Sequence, residues 1–90
     1  MSVSDEIHNY METLVDQVLE KEGYVTRYDK NLLSDLSCIA LNQLKPVYIR
    51  YDIDFLVAIP AEKLLDLKKQ AHIAIGSAEA LMTERSPIRK

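Results

Sequence analysis

Apolar residues recur along the first part of the chain with a helical period. Ile7, Tyr10, Met11, Leu14, Val15, Val18 and Leu19 fall three or four positions apart or side by side, which lines them along one face of a helix. Ser4 precedes the run as a capping residue, and Asp5 and Glu6 occupy the first turn, where the helix dipole favours acids. Gly23 follows it and accepts the left-handed backbone that ends helices. This pattern predicts a first helix over about Asp5 to Glu22.

Tyr24 to Asn31 reads as a polar, aromatic connector. A second helix is predicted over about Lys30 to Leu44, with Leu32, Leu33, Leu36, Ile39, Ala40 and Leu44 on its apolar side. Pro46 stops it, because the residue before proline avoids helical geometry. The period then changes. Ile49, Tyr51, Ile53, Phe55 and Val57 alternate with Arg50, Asp52, Asp54, Leu56 and Ala58, which favours a strand over residues 49–57. A helical reading survives, since Ile49, Ile53, Leu56 and Val57 also share a helical face. A lone strand leaves its backbone groups unpaired. The same strand of a second copy, antiparallel across a two-fold axis, supplies the simplest partner, and Tyr24–Thr26 is the alternative.

A third helix is predicted from Pro60, a favoured first position, to Glu84 or Arg85. Leu64, Leu67, Ala71, Ala74, Ile75, Ala78, Leu81 and Met82 mark its buried side. Its length comes to about 37 Å. Ala71, Ala74 and Ala78 form a small-residue stripe: either alanine serves as a good helix former, or the stripe permits close approach, a symmetry mate included. Ile88, Arg89 and Lys90 are expected to form a frayed tail. The expected fold is mainly α, three helices with one short strand or extended segment between the second and third, forming a homodimer. It makes one domain over 1–90, with an ordered core of about 5–85 and a tail at 86–90.

Composition sharpens the dimer expectation. A 90-residue chain buries only about 60% of its unfolded surface. Cys38 is the one cysteine, so no internal disulfide staples the fold. Small unstapled domains gain stability by oligomerising. The net charge of −3 argues against general DNA or RNA binding, but leaves room for a small anionic ligand held by local arginines. No signal-peptide pattern and no apolar run of membrane-spanning length occurs, so a cytoplasmic protein without membrane contact is expected.

The residues for catalysis are missing. His8 is expected on the first helix, four positions before Glu12, as half of a surface ion pair; His72 borders the apolar stripe of the third helix. Cys38, among Leu36, Ile39 and Leu41, reads as a small buried hydrophobe. No Cys-x-x-Cys or His-x-x-x-His spacing occurs. Asp52 and Asp54 would share a strand face and read as solvated carboxylates. Gly23 and Gly76 are the only glycines, too few for a phosphate loop. A non-enzymatic protein without metal or cofactor is therefore expected.

Asp35, Ala40-Leu41-Asn42, Leu44, Pro46 and Tyr48 follow a D-x4-A-L-N-x-L-x-P-x-Y pattern, and Asn9-Tyr10-Met11-Glu12 with Val15 opens the first helix. Over roughly residues 5 to 85 the chain resembles the late-competence development protein ComFB family. The resemblance implies a small, helix-rich, homodimeric, cytoplasmic bacterial protein with a regulatory role. It also implies a cyclic dinucleotide as ligand, since some members, notably cyanobacterial ones, are regarded as such receptors; cyclic diguanylate is the favoured one here. Members from Gram-positive bacteria carry clustered cysteines before the shared motif and bind zinc. The tract from about Tyr24 to Ser34 has none, so zinc is not expected here.

A cyclic dinucleotide needs cations for its phosphates, flat groups for stacking, and a donor–acceptor fork for guanine. Arg27-Tyr28-Asp29 and Arg50-Tyr51-Asp52 are the same tripeptide and contain all three kinds of group. On a strand, Arg50 and Asp52 would share one face and Tyr51 would pack inward. The candidate ligand residues are Arg27, Tyr28, Asp29, Lys30, Asn42, Lys45, Tyr48, Arg50 and Asp52. Asn42 and Tyr48 also have structural readings, through the amide near a helix end and the ring with a polar tip. A different reading keeps the helix faces and drops the ligand: a protein–protein adaptor linked to competence or motility.

Overall fold

The computed structural model describes residues 6–85. In chain order these form β1 (His8–Asn9), α1 (Tyr10–Lys21), α2 (Tyr24–Arg27), α3 (Lys30–Asn42), β2 (Tyr48–Ile49), α4 (Asp52–Ala58) and α5 (Ala61–Arg85). The three long helices α1, α3 and α5 pack against one another. Their shared interior contains Met11, Leu14, Val15, Leu36, Ala40, Ala71, Ile75 and Ala78, all but withdrawn from solvent.

The helical periods in the sequence translate directly into this core. Tyr10, Met11, Leu14, Val15, Val18 and Leu19 are buried along α1, whereas Ile7 lies before the helix and is exposed. The alanine stripe of α5 is buried within the protomer, at Ala71, Ala74 and Ala78. Small side chains there let α5 approach α1 and α3 closely, with Leu67 and Ile75 filling the space between.

Local chemistry sets the helix ends. Asn9, not Ser4, caps α1: its Oδ1 accepts from the Met11 N–H at 3.1 Å. The helix therefore begins at Tyr10 rather than Asp5; Ser4 and Asp5 lie outside the described residues. Gly23 adopts φ 78° beyond the other end, where a side chain would be strained. Asp29 caps α3 by accepting from the Leu32 N–H at 2.9 Å.

Several expectations need correction. The segment 49–57 is not a strand. Only Tyr48–Ile49 is extended, and Asp52–Ala58 is helical. Asp52 and Asp54 fall in the first turn of α4, where the dipole favours them, and so share no strand face. Ile59 returns to extended geometry before Pro60. Phe55 and Ile59, four positions apart, face the core together, so the helical period prevails over the alternation.

Nor is the extended segment an orphan. β2 pairs antiparallel with β1 of the same chain, His8 opposite Ile49 and Asn9 opposite Tyr48. Neither a second copy nor Tyr24–Thr26, which begins the helical turn α2, is its partner. His8 consequently sits in β1 and not on a helix, and its Nε2 meets Asp52 Oδ1 at 2.8 Å rather than Glu12.

The helix count rises from three to five among the described residues, because the connector contains α2 and the predicted strand contains α4. Cys38 is exposed, not buried. It lies two positions from buried Leu36 and from buried Ala40, about 200° around the helix from each.

Candidate functional site

Both Arg-Tyr-Asp tripeptides stand at the entrance of a helix. In the first, Asp29 caps α3, Arg27 ends α2, and Tyr28 lies between them. The guanidinium of Arg27 lies over the Tyr24 ring, with Cζ 4.4 Å from its centroid, and over the Tyr28 ring at 5.9 Å. The two rings are nearly parallel, 6.4 Å apart and inclined by 17°. A cation over an aromatic face is attracted by the ring quadrupole.

Glu79, on α5, organises this cluster. Its carboxylate accepts from the Tyr28 hydroxyl at 2.5 Å and from the Tyr24 hydroxyl at 3.4 Å, while the Arg27 guanidinium stands 4.0 Å away. Those contacts tie α2 to the long helix. The Glu79 hydrogen bond first, and burial second, push the Tyr28 phenol above its ordinary value of 10.0. Arg27 remains about half exposed, so its guanidinium can still meet a ligand.

In the second tripeptide, Tyr51 is the cap residue of α4 and Asp52 its first residue. Arg50 places Cζ 5.0 Å from the Tyr51 ring centroid. Its Nη2 also meets Glu6 Oε1 at 2.6 Å, with both side chains roughly half exposed. Tyr48 and Tyr51 are exposed, so Tyr51 does not pack inward. Behind this edge, Phe55 packs its ring on Tyr10 at 4.8 Å. Burial, and then the nearby Asp52 carboxylate, raise the Tyr10 phenol above 10.0.

The two tripeptides do not converge within one protomer. The first follows the C-terminal end of α1, and the second follows β2, which is fastened to the N-terminal end. The twelve residues of α1 separate them by about 18 Å. Of the other candidates, Lys30 opens α3 and is exposed, as is Lys45. Asn42 turns its amide toward Cys38 Sγ, 3.9 Å away.

Sequence reasoning missed Glu79. The signal for it was an acid four positions beyond Ile75 and three before Met82, on the buried stripe of α5, where a carboxylate needs partners.

The Asn9 and Tyr48 positions quoted for the resemblance thus meet in the β1–β2 pair, while Asp35, Ala40, Leu41 and Asn42 lie on α3. The late competence development protein ComFB family matches residues 8–86. The chain belongs to the ComFB family. That match takes in every described element of the fold. No curated protein and no solved structure matches the chain. For this ComFB-family chain, no helix among the described residues is long and apolar enough to cross a membrane.

Proposed function

We propose that this ComFB-family protein is a homodimeric regulatory receptor for a cyclic dinucleotide, with cyclic diguanylate as the first choice. The observation that supports this reading is the repeated platform. Each Arg-Tyr-Asp copy lays an arginine over a tyrosine ring at the mouth of a helix. A guanine can stack beside such a ring while the guanidinium fork donates to its O6/N7 edge. Lys30 adds positive charge beside the first platform, for a phosphate.

A second copy supplies a second set of platforms, which suits a ligand with its own two-fold symmetry. The outer face of α4 is the surface we assign to that contact. Ile53 and Val57 are 76% and 82% exposed there, and Leu56, Tyr48 and Tyr51 widen the patch. A cluster of apolar side chains in water favours association.

Calorimetric titration with cyclic diguanylate tests the ligand, using Arg27→Ala and Arg50→Ala separately. Loss of roughly tenfold affinity or more in either variant supports its platform, on the scale of one bidentate base contact. Affinity unchanged in both removes the platforms from the reading. A thermal-shift panel of nucleotides tests the ligand class: a binder present at a hundredfold excess over Kd adds about 2.7 kcal/mol, and a pure adaptor gains nothing.

A further inference from the structure

Between α1 and α3, closed at one end by α2, runs an open trough of about 640 Å³ whose lining shares only Lys30 with the first platform. Leu19, Val25, Leu33 and Leu41 supply its apolar lining. Glu12, Asp16 and Glu20 stand along one rim. They are spaced by four, so they share one face of α1, and all three are exposed. The opposite rim, on α3, is neutral over Ser34, Ser37 and Cys38, with a single cation, Lys30, at its α2 end. The trough therefore combines an apolar lining with three acids along one rim against one lysine at the end of the other. The rim from Glu12 to Glu20 extends about 12 Å, a little over two helical turns.

We propose that this trough seats a basic amphipathic helix of a partner protein. Apolar side chains at i, i+3 or i+4, and i+7 fill the trough, and lysines or arginines along one flank pair with Glu12, Asp16 and Glu20. The charge selects the partner. A neutral apolar helix leaves the acids unpaired, and an acidic one is repelled. The surface is separate from the α4 face, and its rim acids Glu12, Asp16 and Glu20 take no part in either nucleotide platform.

The test uses the full chain, isotope-labelled, and a short helical peptide of leucine and lysine with that spacing, followed by heteronuclear NMR. The expected shifts fall on Leu19, Val25, Leu33 and Leu41. The triple variant E12Q/D16N/E20Q, made only at exposed positions, is expected to bind the peptide roughly fivefold or more weakly, as the loss of three ion pairs implies. A leucine–glutamate peptide is expected not to bind. Cys38 is the chain's single cysteine and lines the trough, so a bulky maleimide adduct there is expected to block the lysine peptide. No shift with the lysine peptide, shifts confined to α4, or an affinity indifferent to the triple variant would each overturn the proposal.

Discussion

Val47 is bound to both sides of the Asn9–Tyr10 peptide. Its N–H donates to Asn9 Oδ1 at 2.8 Å, and its carbonyl accepts from the Tyr10 N–H at 2.7 Å. Because the same Asn9 oxygen accepts from Met11, one side chain both starts α1 and holds the segment leading into β2. Asn9→Ala removes both acceptances. We expect it to lower stability by about 1–3 kcal/mol, a cap plus a second backbone donor left without its partner. Urea unfolding reads the loss, and hydrogen exchange at the Val47 amide should quicken. Asn9→Asp keeps an acceptor and should retain most of the stability; an aspartate variant as weak as the alanine one would count against this account.

Glu79→Gln tests the cluster around α2 through its pH dependence. The folded pKa of Tyr28 lies above the unfolded 10.0. Its contribution to stability is therefore complete below that value. It is lost as pH rises through the raised folded value, because the unfolded chain releases its proton first. Without the carboxylate, Tyr28 should titrate closer to 10.0 by ultraviolet absorbance, and this alkaline loss should shrink. An unmoved tyrosine titration would show that Glu79 is not the cause.

Arg27→Lys separates charge from shape at the first platform. Lysine keeps the positive charge but loses the planar fork that fits a guanine edge. We expect affinity for cyclic diguanylate to fall by roughly tenfold. Full retention would mean that the residue serves a phosphate instead.

Ile53→Ser together with Val57→Ser tests the association face. Both residues are largely exposed in the protomer, so the double variant should change protomer stability by less than about 1 kcal/mol. Analytical ultracentrifugation should nevertheless show a dimer becoming a monomer. A variant that stays dimeric places the contact elsewhere.

The long elements were legible because their burial follows a period. Tyr10 to Leu19 on α1, Leu36 and Ala40 on α3, and Leu67 to Ala78 on α5 all lie on faces the spacing marks. What escaped was short. In the seven residues of α4, strand and helix periods overlap, and the decision came from Asp52 and Asp54 in the first turn and from the docking of Phe55 and Ile59. A two-residue strand carries no period at all, so its pairing with His8–Asn9 could only be seen in space. In each repeat the arginine lies over its tyrosine ring, which for Arg50 and Tyr51 reverses the expectation that Tyr51 would pack inward on the other face. The aspartates carry local duties that sequence could not weigh: Asp29 caps a helix, and Asp52 pairs with His8.

The bond between Asn9 and a residue 38 positions later also bears on how the chain folds as it is made. A growing polypeptide must release Val47 before the beginning of α1 can be anchored. It must then extend through α5 before the apolar stripes of α1 and α3 gain their common wall. Until that point, α1 and α3 can cover each other only in part, and the faces that α5 will bury stay open to water. Native structure therefore arrives as a concerted event once α5 has been released, rather than helix by helix behind the ribosome.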